Sequence, residues 1–169
     1  VGIQPITVDF RGFLFQALQL GIRLFGTRDN NLWQYNLAWF RRLEKDTNSL
    51  LNDLGQPLRE DDVFIANLYR QDFPVLGHTS QVVLVHNRNR EGDEGTHFNA
   101  NGFIERPASL GRETLRNYDV TYVGFNGDGH FGRFNLSSSA YFAFGDQDQG
   151  VLFPGEVDIR AFFLAAEGG

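Results

Sequence analysis

Hydrophobic and polar positions alternate with a period of two over eight segments of this chain: 2–10, 20–28, 33–43, 63–71, 81–90, 116–125, 131–144 and 156–165. Side chains along a strand point to opposite faces in turn, so this period predicts half-buried β-strands. Segment 33–43 is the clearest, with Trp33, Tyr35, Leu37 and Trp39 on one face and Gln34, Asn36, Ala38 and Phe40 on the other. Segment 131–144 sets Phe134, Leu136, Ala140, Phe142 and Phe144 against Arg133, Asn135, Ser137, Ser139 and Tyr141. In 116–125, Tyr118, Val120 and Tyr122 oppose Asn117, Asp119 and Thr121; in 156–165, Val157, Ile159, Ala161 and Phe163 oppose Asp158 and Arg160. Segments 63–71 and 81–90 carry apolar residues on both faces, as strands packed against a loop inside a lumen would. Pro5 weakens the first segment, because proline gives no ladder donor and belongs at a strand end or sheet edge.

The connections have a rhythm of their own. Those at 11–19, 44–62, 91–115 and 145–155 are long, and those at 29–32, 72–80 and 126–130 are short. Short turns at one rim and long loops at the other describe an antiparallel up-and-down transmembrane β-barrel. Several segments span about ten residues, which is the length a tilted strand needs to cross the hydrocarbon layer. The dense turn signal Asn126-Gly127-Asp128-Gly129 and the run Asp29-Asn30-Asn31 predict tight hairpins. A soluble β-sandwich that binds a ligand predicts the same alternation, with the aromatics as its core and the polar face in water.

Composition narrows this picture. No run of about 18 apolar residues exists, so a membrane helix is excluded, while a barrel escapes that test because its two faces alternate. The net charge of -6 argues against nucleic-acid binding, which wants a basic face. Of the 15 basic residues, Lys45 is the one lysine, and arginine offers a planar fork of donors for carboxylates. Acidic residues gather in the long connections, at Asp46, Asp53, Glu60, Asp61, Asp62, Glu91, Asp93 and Glu94. Solvated external loops are the expectation for them.

Strand parity nominates the lumen: Arg23, Arg42, Asp119, Arg133, Asp158 and Arg160. Such groups would either attract anions or pair with one another as a ladder that stiffens the wall. The 91–115 connection, the longest, contains Phe98, Phe103, Ile104 and Pro107 and is expected to fold back as a constriction, with Glu105 and Arg106 facing the pathway, or to cap the rim. Trp33, Trp39 and Tyr118 suit interfacial aromatic girdles. Enzyme signatures are poor, with a hydrolase built on a barrel, using His plus Ser or Asp at the rim, as the minor alternative. His78, His86, His97 and His130 lack metal-ligand spacing, and Ser137-Ser138-Ser139 lacks the glycine-flanked elbow of a hydrolase.

Residues 124–145 (GFNGDGHFGRFNLSSSAYFAFG) and 158–168 (DIRAFFLAAEG) resemble the alginate-export-like outer-membrane β-barrel proteins of Gram-negative bacteria. So do 10–15 (FRGFLF), 24–31 (LFGTRDNN) and 35–48 (YNLAWFRRLEKDTN). The resemblance implies a porin-like barrel larger than these eight segments, of which the chain would be a fragment ending at Glu167-Gly168-Gly169. It implies residence in the outer membrane, among lipid and lipopolysaccharide. It also implies passive passage of a polar or anionic solute, oligo- or polysaccharide included, with no cofactor. A structural or adhesive barrel with a filled interior is the rival if the eight strands close on themselves.

Overall fold

The computed structural model of the protein describes residues 1–45, 51–55, 58–93, 97–98, 101–102, 104–106, 115–149 and 155–169. Ten strands follow one another: β1 (Gly2–Thr7), β2 (Gln16–Arg28), β3 (Trp33–Arg41), β4 (Asp61–Arg70), β5 (His78–Asn89), β6 (His97–Phe98), β7 (Ile104–Arg106), β8 (Tyr118–Phe131), β9 (Phe134–Asp148) and β10 (Glu156–Gly168). Eight of them form one antiparallel sheet in the order β1-β2-β3-β4-β5-β8-β9-β10, so each strand pairs with its neighbours in sequence. The sheet is open, with β1 and β10 as its edges. Pro5 therefore lies on an edge strand, where its missing donor is tolerated. The short strands β6 and β7 pair with each other as a separate hairpin inside the long β5–β8 connection.

Hairpin chemistry explains the short turns. Asp29, Asn30 and Asn31 all have positive φ (53°, 52° and 68°), a region that Asp and Asn tolerate better than other residues with a Cβ. The expected turn at 126–130 is strand instead. β8 runs on to Phe131 and the hairpin closes at Gly132-Arg133, where Gly132 takes φ 68°. A two-residue loop with glycine at its first position matches the twist of both strands, and the pairing gains five further rungs from Gly127↔Ser138 to Phe131↔Phe134.

The two faces of the sheet differ in an unusual sense. The inward face carries buried polar side chains in cross-strand register, among them Asn36↔Asn67 and Gln81↔Asn126. The outward face carries exposed apolar ones, including Leu24↔Leu37, Leu84↔Val123 and Phe142↔Phe162. Phe162 is 80% exposed. A soluble sheet buries its apolar face, and this one does the opposite.

Register corrects the expected faces of two strands. In β8, Tyr118, Val120 and Tyr122 pair with Asn89, Asn87 and Val85 and point inward, which leaves Asp119 and Thr121 outward. In β10, Phe163 pairs with Tyr141 and points inward, so Asp158 and Arg160 face outward, opposite Asp146 and Phe144. Alternation shows that two faces exist. It cannot say which is inside where apolar residues also fill the interior, as they do beside Tyr141.

That interior is small. Ile6, Val8, Phe40, Val63, Ile65, Val83, Val85 and Tyr141 form one buried cluster, with Leu14 and Phe15 packed against it. On the inward face two direct Gly–aromatic pairs, Gly21↔Phe40 and Gly124↔Tyr141, let the rings lie flat on the neighbouring strand. A Cβ on Gly124 would sit 2.3 Å from the Tyr141 ring, far inside contact distance.

Candidate functional site

The inward face is occupied by the segment that joins β1 to β2. Residues 8–15, the inner strap, leave the sheet at Thr7 and fold back beneath it. Two features of the sequence build this local structure. The Asp9 carboxylate, buried to 4% exposure, accepts from the backbone N–H groups of Phe13 and Leu14, both at 2.9 Å, and closes a compact turn. Gly12 takes φ 69° within it.

The strap is tied to strand after strand. The Val8 carbonyl accepts from Asn67 Nδ2 at 3.0 Å on β4 and Gln81 Nε2 at 2.6 Å on β5. Tyr141 on β9 donates its one hydroxyl proton to Asp9 Oδ2 at 2.5 Å and lies equally close to the Asn126 side-chain amide, whose Nδ2 donates to Gln81 Oε1 at 3.0 Å. Phe10 meets Tyr69, with ring centroids 5.8 Å apart, and Phe13 meets Phe163 of β10 at 5.2 Å. Arg11 Nη2 reaches Glu167 Oε2 at 2.7 Å, and its Nε donates to Ser137 Oγ. The buried amides of Gln81 and Asn126 thus have a structural explanation within this network, and Asn67 is held through its Nδ2 while its Oδ1 accepts from none of the described groups.

A second polar cluster sits where β3, β4 and β5 meet the long loops. Arg42 Nε lies 3.2 Å from the fully buried Asp61, and Arg59 forms a fork on Glu91 at 2.5 and 2.9 Å. Asn87 and Asn89 complete it by donating to Asp61 Oδ1 and Glu91 Oε2. Two arginines balance two carboxylates, so the cluster brings no net charge to the interior. Asp61 and Glu91 are therefore buried partners and not solvated loop acids, and Asp62 lies in β4, accepting from Trp39 Nε1 at 2.9 Å. Asp46 and Glu94 fall outside the described residues.

The sequence-nominated lumen residues do not come together. Arg23 and Arg42 face inward: Arg23 donates to Asn36 Oδ1 at 2.6 Å and lies over the Phe25 ring, while Arg42 is neutralised by Asp61 and lies over Phe15. Asp119 faces outward and is held by Arg90, whose guanidinium pKa that hydrogen bond raises above its ordinary value despite partial burial. Asp158 and Arg160 also face outward and pair with each other at 3.2 Å. Arg133 sits in the β8–β9 turn. Parity failed for these four because it was anchored on hydrophobicity rather than on the ladder.

Among the girdle aromatics, Trp33 and Trp39 do face outward, with Arg70 stacked on Trp33 at 4.5 Å. Tyr118 faces inward, its hydroxyl 3.5 Å from Asn87 Oδ1. Glu105 and Arg106 belong to β7, whose ladder partner is β6 and not the main sheet; Phe103 and Pro107 fall outside the described residues. Among the described residues, the strap folds under the sheet, and the sequence marks it by FRGFLF in a connection and by the two strands that are apolar on both faces.

Among the described residues no group of three or more His, Cys, Asp or Glu side chains is placed to hold a metal ion. No helix there is long and apolar enough to cross a membrane, which leaves strands unaddressed. Comparison with protein-family models, curated proteins and solved structures finds no match to the chain.

Proposed function

We propose that the chain forms the wall of an outer-membrane β-barrel and that this barrel gives passive passage to polar solutes, anionic ones and oligo- or polysaccharide included. One observation carries the reading: the sheet is inside-out, with an exposed apolar outward face and an inward face of buried amides and ion pairs. Lipid is the solvent that suits the outward face, and exposed apolar area of this extent marks a contact surface. Strand lengths of 12 to 15 residues in β2, β5, β8, β9 and β10 exceed what a tilted strand needs to span the hydrocarbon layer. The resemblance to alginate-export-like barrels points the same way.

In this reading β1 and β10 are paired in the membrane, because an unpaired strand edge in lipid leaves its N–H and C=O groups without partners, at several kcal/mol each. Outer-membrane lipid and lipopolysaccharide are the neighbours of the outward face. The mechanism is diffusion through a wetted lumen and needs no cofactor or energy source.

The inner strap favours a second reading, a structural or adhesive barrel with a filled interior, since small barrels are packed by side chains. Planar-bilayer conductance with and without uronate oligomers separates the two. Open steps that the oligomers block support the channel. An inserted protein that stays silent overturns passage and leaves the filled barrel. Stability in buffer without detergent would overturn both and favour a soluble sandwich.

A further inference from the structure

The inner strap divides the inward face into two unlike halves. Over β3, β4 and β5 it is sealed down: Val8 is fully buried, and Phe15 packs on the core cluster beside Phe40 and Val63. Toward β9 and β10 its flank is wet. Arg11 and Glu167 have side chains 42% and 73% exposed, and they border a cleft of about 440 Å³ lined also by Asp128, His130, Asn135 and Ser137. Hydrogen-bonding groups line this side, whereas on the other apolar side chains pack around Val8.

Water and solutes that cross this sector therefore pass between the strap and β9–β10. An exposed ion pair is weak, so either partner can exchange the other for a solute group. A carboxylate can take the Arg11 guanidinium through two parallel hydrogen bonds. The Asp9 turn and its hydrogen bond to Tyr141 of β9 keep the strap in place while this happens, because both side chains are buried.

Resting on the channel reading, we infer that the inner strap is a constriction of the pathway. We infer equally that the Arg11–Glu167 pair on its wet flank sets how the pathway selects solutes by charge. The β6–β7 hairpin of the longer connection forms its ladder with itself, while the strap reaches β4, β5, β9 and β10.

The test uses the full chain in planar bilayers and liposomes. Arg11→Gln should move the reversal potential in a KCl gradient toward cation preference and weaken block by uronate oligomers about tenfold or more, the loss expected of one charge-assisted hydrogen bond. Glu167→Gln should move the reversal potential the other way. Replacing residues 10–14 by Gly-Ser-Gly should raise unit conductance. The chain has no cysteine, so Val83→Cys, buried under the strap, is a clean reporter. Its labelling by a water-soluble maleimide should be slow with the strap intact and fast with it replaced.

If current flows but strap replacement changes neither conductance nor labelling, the strap is not the constriction. If the two Gln variants shift the reversal potential in the same direction, or not at all, the selectivity pair is overturned. Should no variant conduct while strap replacement still exposes Val83→Cys, the strap is interior packing and no constriction, and the channel reading fails, taking charge selection with it. The two Gln variants change exposed groups and decide the selectivity claim even if the strap replacement does not assemble.

Discussion

The β4–β5 pair and the β9–β10 pair use the same alternating grammar and end in opposite environments. In β4 and β5 both faces are apolar in part: Val63, Ile65, Val83 and Val85 point inward under the strap, and Phe64, Leu68, Val82 and Leu84 point outward. In β9 and β10 the outward face is again apolar, through Phe142, Phe144, Phe162 and Leu164, but the inward row carries Ser137, Ser139 and Glu167. The difference is what lies on the inner side. Where the strap covers the sheet, valine and isoleucine are buried by it; where only its edge reaches, polar groups meet the cleft.

The largest expected effect comes from breaking the covered half. Val83→Asp places a carboxylate without a partner beneath the strap and should destabilise by more than about 4 kcal/mol, enough to abolish assembly. The equivalent inward change at the uncovered edge, Ala161→Asp, should still assemble, as heat-modified mobility on a denaturing gel would show. Equal damage from both would mean that the inner face of β10 is as closed as that of β5.

Next comes the charge cluster. Asp61→Ala leaves Arg42 without its buried partner and should cost about 3–5 kcal/mol in urea unfolding from detergent. Charge on the proposed lipid face follows: in that reading Leu37→Arg should cost about 2–4 kcal/mol near the bilayer midplane, while Gln34→Arg, on the opposite face of the same strand, should be tolerated. A reversed order would invert the face assignment of β3. The smallest effect should be Arg160→Gln, on an exposed outward ion pair, at no more than about 0.5 kcal/mol in the same unfolding assay.

Three elements show how far the sequence alone could be read. In β3 the faces were legible, because Trp33, Tyr35, Leu37 and Trp39 alternate with Gln34 and Asn36 and the inner partners are polar. In β8 they were not. Tyr118, Val120 and Tyr122 read as an outer stripe, yet each pairs inward, against Asn89, Asn87 and Val85 of β5. The hairpin at Gly132-Arg133 was hidden by the richer turn signal at Asn126-Gly127-Asp128-Gly129, which the ladder absorbs. At the site, Arg42 was placed on the correct face but its partner was not visible, because Asp61 lies 19 positions away and looked like a loop acid. Asp9, Tyr141 and Gln81 were missed altogether. A lone Asp in a connection, a Tyr in an alternating strand and a Gln at a strand start carry no local mark of a shared hydrogen-bond network that spans 132 positions.

By itself the sequence determined that this is an antiparallel all-β chain whose strands follow one another up and down, since a period of two and the spacing of turn residues are local properties of the backbone. Only the tertiary structure decided which face is inside, that residues 8–15 fold beneath the sheet, and which charges neutralise one another. Those outcomes depend on ladder register and on contacts between residues far apart in the chain, and hydrophobicity is the same number whether a side chain meets lipid or a buried strap.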